Sequence, residues 1–68
     1  MQVAEVLRTW VTLQKYITKI TEEEARQLLR AEKRGKNRLS FLNRIYSRYS
    51  VLRHRRETRE LLEEWTDQ

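Results

Sequence analysis

The sequence predicts an all-α protein, and three observations lead to this prediction. The chain of 68 residues contains no proline and a single glycine, so the residues that most often interrupt helices are nearly absent. Its apolar residues recur three or four positions apart, which is the spacing of one helix face. Thr21 is followed by three glutamates, a pattern typical of a helix N-terminus. A chain of this length is expected to form one small domain, residues 1–68.

The first predicted helix covers residues 3–20. Its apolar residues form the one-sided stripe of an amphipathic helix, and they are Val3, Val6, Leu7, Trp10, Leu13, Ile17 and Ile20. This N-terminal helix is expected to bury its stripe by packing across the two helices that follow it.

The second predicted helix begins at Glu22, because Thr21 and Glu24 can form a capping box. The Thr21 hydroxyl can accept from the Glu24 N–H, while the Glu24 carboxylate reaches back to the Thr21 N–H. Gly35 follows the basic residues of the last turn and is expected to end the helix in a left-handed conformation. On that basis a side chain at Gly35 would cost about 1 kcal/mol or more, and Gly35→Val would lower the melting temperature.

The third predicted helix runs from about Arg38 to Trp65, with Asn37 or Ser40 as its cap. It is about twice as long as the second helix, so an antiparallel hairpin of the two leaves its C-terminal half without a partner. The apolar residues expected to face the hairpin partner are Leu42, Ile45, Tyr46, Tyr49 and Leu52. A second apolar group points to about the opposite side and consists of Leu61, Leu62 and Trp65.

This second apolar group predicts a homo-oligomer, in the form of a two-fold dimer. A small, polar chain without cysteine has neither a disulfide nor a thiolate metal site to stabilise it. A two-fold axis would bring Leu61, Leu62 and Trp65 of two copies together and bury them. The alternative is that the N-terminal helix folds back and covers Leu62 and Trp65 within one chain.

Charge is segregated along the sequence. Residues 1–25 carry three basic and four acidic side chains. Residues 26–59 carry twelve basic and two acidic side chains, whereas residues 60–68 carry four acidic side chains and no basic one. A strongly basic centre in a small chain indicates a localised surface for a polyanion. The predicted partner is nucleic acid, with DNA favoured over RNA and duplex DNA bound through its phosphates with little sequence selectivity.

The candidate binding residues lie on the third predicted helix and at the turn before it. Arginine predominates there, and its planar guanidinium can bind a phosphate through two hydrogen bonds at once. The eight candidates are Lys33, Arg34, Lys36, Arg38, Arg44, Arg48, Arg55 and Arg59. The last four are spaced 4, 7 and 4 residues apart and are expected to form one row along a side of the third helix. A tyrosine at 46 or 49 could stack on a base only if its ring were exposed beside the basic residues.

Two other interpretations of the basic residues remain open. A solvated helix face could be neutralised by pairs four residues apart, namely Arg53–Glu57, Arg56–Glu60 and Arg59–Glu63. Alternatively, the chain could be a small inhibitor or adaptor whose basic face docks on an acidic protein. A nucleic-acid binder would bind unrelated duplexes, whereas an adaptor would need one particular partner.

Catalysis, a metal site and a membrane span are not predicted. The chain has no cysteine, and its one histidine, His54, stands among arginines without a second ligand. The glutamate runs have no partner group with which to perform acid–base chemistry. No apolar run approaches the roughly 18–20 residues that cross a bilayer. We therefore expect a non-enzymatic, cofactor-free protein of the cytoplasm.

The turn and the helix after it resemble a known kind of protein. The stretch from Ala31 to Arg38 (AEKRGKNR), followed by an arginine-rich amphipathic helix, is similar to the turn of small basic helical-hairpin proteins encoded by bacteriophages. The resemblance covers about residues 21–56. It implies a phage accessory protein that acts in the host cytoplasm, on DNA, and it assigns no functional residues.

Overall fold

A computed structural model describes residues 1–66 as an elongated helical assembly measuring 47 × 18 × 16 Å. Its four helices are α1 (Val3–Val6), α2 (Trp10–Ile17), α3 (Glu22–Arg34) and α4 (Leu39–Thr66). Within these residues there is no β-strand, so the all-α prediction is confirmed. Of the helices in this range, none is both long enough and apolar enough to cross a membrane.

The single N-terminal helix predicted over residues 3–20 is wrong, because the chain breaks between α1 and α2. Thr9 has an extended backbone, and its hydroxyl accepts from the Thr12 N–H at 3.1 Å, which starts a new helix at Trp10. The break leaves the carbonyl of Leu7 outside any helix. That carbonyl accepts a hydrogen bond from Arg38 at 2.7 Å, so the interruption ties the N-terminal segment to the hairpin.

The predicted start of α3 at Glu22 is confirmed. The Thr21 hydroxyl accepts from the Glu24 N–H at 3.2 Å, and the Glu24 carboxylate accepts from the Thr21 N–H at 2.9 Å. The second of these bonds is the main reason that the pKa of Glu24 lies below its ordinary value. The capping box therefore fixes the point at which the hairpin's first helix begins.

The left-handed residue of the turn is Asn37, not Gly35 as the sequence predicted. Asn37 has a φ of 51°, whereas Gly35 has a φ of −93°. Asparagine tolerates this region better than other residues with a side chain. A residue without a side chain is favoured at Gly35 for a different reason, because a Cβ there would lie only 3.2 Å from the carbonyl oxygen of Ala31.

We expect Asn37→Val to lower the free energy of unfolding by about 1–2 kcal/mol, because a β-branched residue resists a positive φ. Asn37→Gly is the matched control and should unfold at or near the wild-type temperature, since glycine adopts this conformation without strain. Thermal unfolding followed by circular dichroism measures both. Equal melting temperatures for the two variants would contradict the left-handed turn at this position.

The cap of α4 also differs from the prediction of Asn37 or Ser40. The acceptor is the carboxylate of Glu32, which reaches across the turn from α3 and binds the backbone N–H of Arg38 at 2.8 Å. A carboxylate at this place also lies at the positive end of the α4 dipole. The Glu32 carbonyl accepts from the Asn37 N–H at 2.7 Å. One residue of α3 thus organises the turn with both its backbone and its side chain.

α3 and α4 form an antiparallel hairpin, and the core lies between this hairpin and the N-terminal helices. Arg38 at one end of the pair contacts Glu32, and Arg56 contacts Glu22 at the other end. The buried apolar side chains come from all four helices and from the segment before α3, and they are Val6, Leu13, Ile17, Ile20, Ala25, Leu28, Phe41 and Ile45.

Beyond Arg56, α4 continues for almost three turns without α3 beside it, and residues 57–66 are called the α4 extension below. Leu61, Leu62 and Trp65 on this segment are 64%, 58% and 74% exposed. The N-terminal segment does not cover them, because Trp10 packs edge-on against Phe41 with ring centroids 5.5 Å apart. The alternative in which the N-terminal helix folds back over Leu62 and Trp65 is therefore wrong.

Candidate nucleic-acid interface

Arg38, one of the eight predicted binding residues, is half-buried at the turn. Its Nε and Nη2 donate to the two carboxylate oxygens of Glu32 at 3.0 and 2.7 Å. Its guanidinium carbon also lies 3.4 Å from the centroid of the Phe41 ring. These contacts hold the turn to α3 and α4, and the bond from Nη2 to the Leu7 carbonyl joins it to the N-terminal segment. Arg38 therefore has a structural role in the turn, where its charge is paired with Glu32.

Glu32, the partner of Arg38, is almost completely buried, with an exposed fraction of 2%. Hydrogen bonds from Arg38 hold its pKa below the ordinary value, and they outweigh the opposite effect of burial. A carboxylate buried among apolar side chains is tolerated only when its oxygens are paired. The ion pair between the buried Glu32 and the half-buried Arg38 is the charged centre of the hairpin turn.

Arg44 and Arg48 form part of the predicted row on α4, but the row is partly covered at this point. Nε of Arg44 donates to Oε1 of Gln14 at 2.9 Å, and Nη2 of Arg48 donates to the carbonyl of Thr18 at 3.0 Å. Both acceptors belong to the N-terminal segment, which lies along this side of α4. These two arginines are half-buried and make packing contacts as well as carrying charge.

The three cations at the hairpin turn are different, and Lys33, Arg34 and Lys36 are called the tip cluster below. All three are exposed, two of them in the last turn of α3 and one after it. Within residues 1–66 their side chains make neither a hydrogen bond nor an ion pair. Their positive charge is therefore directed to the solvent and is not neutralised locally.

Arg55 and Arg59 are also exposed, but they lie far from the tip cluster. Arg55 is separated from Arg38 by 17 residues of chain, or about 25 Å of helix at 1.5 Å per residue. The predicted row is thus divided into a covered part at Arg44 and Arg48 and an uncovered part near the C-terminal end. The eight candidates do not form one continuous surface.

Local ion pairs neutralise part of α4, as one of the alternative interpretations proposed. Arg53 pairs with Glu57 and Arg56 with Glu60, each at 3.2 Å. Arg56 also donates to Glu22 of α3 at 2.8 Å, and this bond is the main cause of the lowered pKa of that carboxyl. Among the described residues, the predicted pair Arg59–Glu63 is not formed.

A groove between α3 and α4 brings Lys33 and Tyr46, both considered from the sequence, together with Arg30, which was not a predicted binding residue. It is called the Tyr46 groove below and is lined by Leu29, Arg30, Lys33, Leu42, Asn43 and Tyr46. The ring of Tyr46, which was expected on the packed stripe, is 56% exposed. The spacing of Arg30 and Lys33 on α3 could have indicated this face, since residues three apart are neighbours on a helix.

Tyr49 continues the aromatic surface next to the Tyr46 groove. Its ring centroid lies 6.3 Å from that of Tyr46, and the two ring planes are tilted by 46°. The guanidinium groups of Arg26 and Arg53 lie about 6 Å from the Tyr49 ring, which is within the range of a cation–π interaction. The rings and cations of α3 and α4 are therefore interleaved on one side of the hairpin.

No protein-family model, curated protein or solved structure matches this chain.

Proposed function

We propose that this protein is a non-catalytic nucleic-acid-binding protein that contacts phosphates, and that it binds duplex DNA with little sequence selectivity. The observation that carries the proposal is the tip cluster. Three exposed cations lie close together at one end of the hairpin and have no acidic partner in the described range. Phosphate contacts of this kind dominate the affinity of proteins for nucleic acids.

The proposed interface is smaller than the eight residues predicted from the sequence. The tip cluster supplies three phosphate contacts, and Arg30 lies beside Lys33 on the same helix. Arg55 and Arg59 can reach a long polymer at a second place, because they are exposed and distant. About four to six neutralised phosphates per protein remain within reach, even though Arg38 is used inside the fold.

The alternative is an inhibitor or adaptor whose tip cluster docks on an acidic protein. A mobility-shift assay with an unrelated duplex, single-stranded DNA and RNA separates the two proposals. A phosphate-binding protein should shift several unrelated sequences at about 50 mM salt, where such binding is strong. An adaptor should leave all of them unshifted. The phage origin and the host-cytoplasmic location that the resemblance implies stay predictions.

We also propose that the protein forms a two-fold dimer through the α4 extension. Leu61, Leu62 and Trp65 are exposed on a helical segment that no other part of the described chain supports. An isolated segment of this length is a marginal helix in water, so packing against another copy would stabilise it. Pairing would also bring two tip clusters onto one polymer and raise the avidity.

Light scattering is expected to give the mass of a dimer at micromolar concentration. Leu62→Glu combined with Trp65→Ala should give a folded monomer, because both substitutions fall on exposed positions of the α4 extension. Leu39, which is 73% exposed at the other end of α4, offers the matched control: Leu39→Glu should remain a dimer. A monomeric wild-type protein across this concentration range would reject the proposed interface.

A further inference from the structure

We infer that the Tyr46 groove binds an unpaired base, so that the protein holds single-stranded segments of nucleic acid more firmly than their phosphates alone would allow. The groove combines an exposed aromatic ring, two cations and an amide within one concave surface between α3 and α4. It becomes relevant only where the tip cluster has bound a nucleic acid, so this inference rests on the proposed function.

The chemistry of the groove fits a nucleotide. A base could stack on the Tyr46 ring, because every base has a flat face and such stacking tolerates any sequence. Leu29 and Leu42 add apolar side chains to the lining of the groove. Asn43 is exposed, and its amide can both donate to and accept from a base edge.

The charges around the groove complement the backbone of the same nucleotide. Lys33 belongs both to the groove and to the tip cluster, so a strand bound at the tip would pass directly beside Tyr46. Arg30 lies about one turn before Lys33 on α3 and also lines the groove. Within the described range neither cation has an ion-pair partner. An acidic peptide could satisfy these cations but would leave the tyrosine ring without a stacking partner.

Duplex DNA cannot use the groove in this way, because its bases are already stacked on one another. Two ligands with the same phosphates, one with bases and one without, therefore distinguish the contribution of the groove to binding from that of the tip cluster. A thymidine dodecamer offers unpaired bases, whereas an abasic dodecamer offers the same backbone without them.

The experiment measures the binding of labelled dodecamers by fluorescence anisotropy at fixed salt. We expect the thymidine dodecamer to bind more tightly than the abasic one, by on the order of 5- to 100-fold for one stacked base. Tyr46→Ala should abolish this difference and leave the binding of a closed duplex unchanged. Tyr46→Phe should retain it, because the phenyl ring still stacks.

Tyr16→Ala is the matched control, since this tyrosine is also exposed but lies on α2, away from the groove. It should bind all ligands as the wild type does. Equal binding of the thymidine and abasic dodecamers would overturn the inference and leave the phosphate proposal standing. Failure of every polymer to bind would instead overturn the proposed function as well. If Tyr46→Ala lowered the affinity for duplex and for single strand by the same factor, that result would also count against base stacking.

Discussion

Glu32→Ala is expected to lower the free energy of unfolding by about 3 kcal/mol, because it leaves Arg38 without its buried partner. The same carboxylate accepts three hydrogen bonds from Arg38, one of them from the backbone N–H that begins α4. In a domain of this size, a loss of about 1 kcal/mol shifts the melting temperature by roughly 4–8 °C. The variant should therefore unfold far below the wild type.

Glu32→Gln keeps the protein measurable if the alanine variant does not fold. The amide oxygen can still accept from the Arg38 N–H, but the charge is gone, so an intermediate loss is expected. Glu23→Gln is the matched control, since Glu23 is exposed and its pair with Arg26 at 3.4 Å lies at the surface. A melting temperature for Glu32→Gln equal to that of Glu23→Gln would contradict the structural role of the buried pair.

The Glu32–Arg38 pair also predicts how stability depends on pH. The pKa of Glu32 is lowered by folding from an ordinary value of 4.5, so the folded state favours the charged carboxylate. Its contribution to stability is complete above the unfolded pKa and is lost as the pH falls through the lower, folded value. The melting temperature should decrease on acidification below about pH 4.5, and less steeply in Glu32→Gln. The pKa values of Glu22 and Glu24 are lowered as well, so these carboxyls add to the slope in the same direction.

The second large effect concerns binding. Lys33→Gln combined with Lys36→Gln removes two exposed charges from the tip cluster, and we expect duplex affinity at about 0.1 M salt to fall on the order of 50-fold. The reason is that a salt slope of about −0.9 per phosphate contact makes each contact worth about eightfold at this salt relative to 1 M, through counterion release. Both positions are exposed, so the fold and the melting temperature should be unchanged.

Lys15→Gln combined with Lys19→Gln is the matched control for this experiment. It removes the same net charge from exposed positions on and just after α2, away from the tip cluster. Binding should weaken only slightly, through the smaller overall charge. If the two double variants lost the same affinity, the binding would follow net charge alone, and the tip cluster would not be the interface.

The sequence predicted the elements of the fold well where local chemistry decides them. The capping box at Thr21 and the length of α4 depend on neighbouring residues, and both agree with the structure. The break at Thr9 was missed because the apolar stripe continues through it. Two contacts mark the interruption: the Thr9 hydroxyl accepts from the Thr12 N–H, and the Leu7 carbonyl accepts from the Arg38 guanidinium, which lies 31 residues away in the sequence.

The site was harder to predict, because charge along a sequence does not show which charges a fold uses internally. Arg38 had no acidic residue three or four positions away, yet it pairs with Glu32 across the turn. Arg44 and Arg48 appeared free on a helical wheel, but acceptors from the N-terminal segment lie beside them. Contacts between residues about 30 positions apart depend on tertiary packing, which periodicity alone does not give.

The salt dependence of duplex binding tests the central proposal most directly. Four to six phosphate contacts predict a slope of log K against log salt of roughly −4 to −5. Lys33→Gln with Lys36→Gln should make that slope shallower by about two units, whereas Lys15→Gln with Lys19→Gln should leave it unchanged. A flat salt dependence of the wild-type protein, or an absence of duplex binding at about 50 mM salt, would contradict phosphate recognition by the tip cluster.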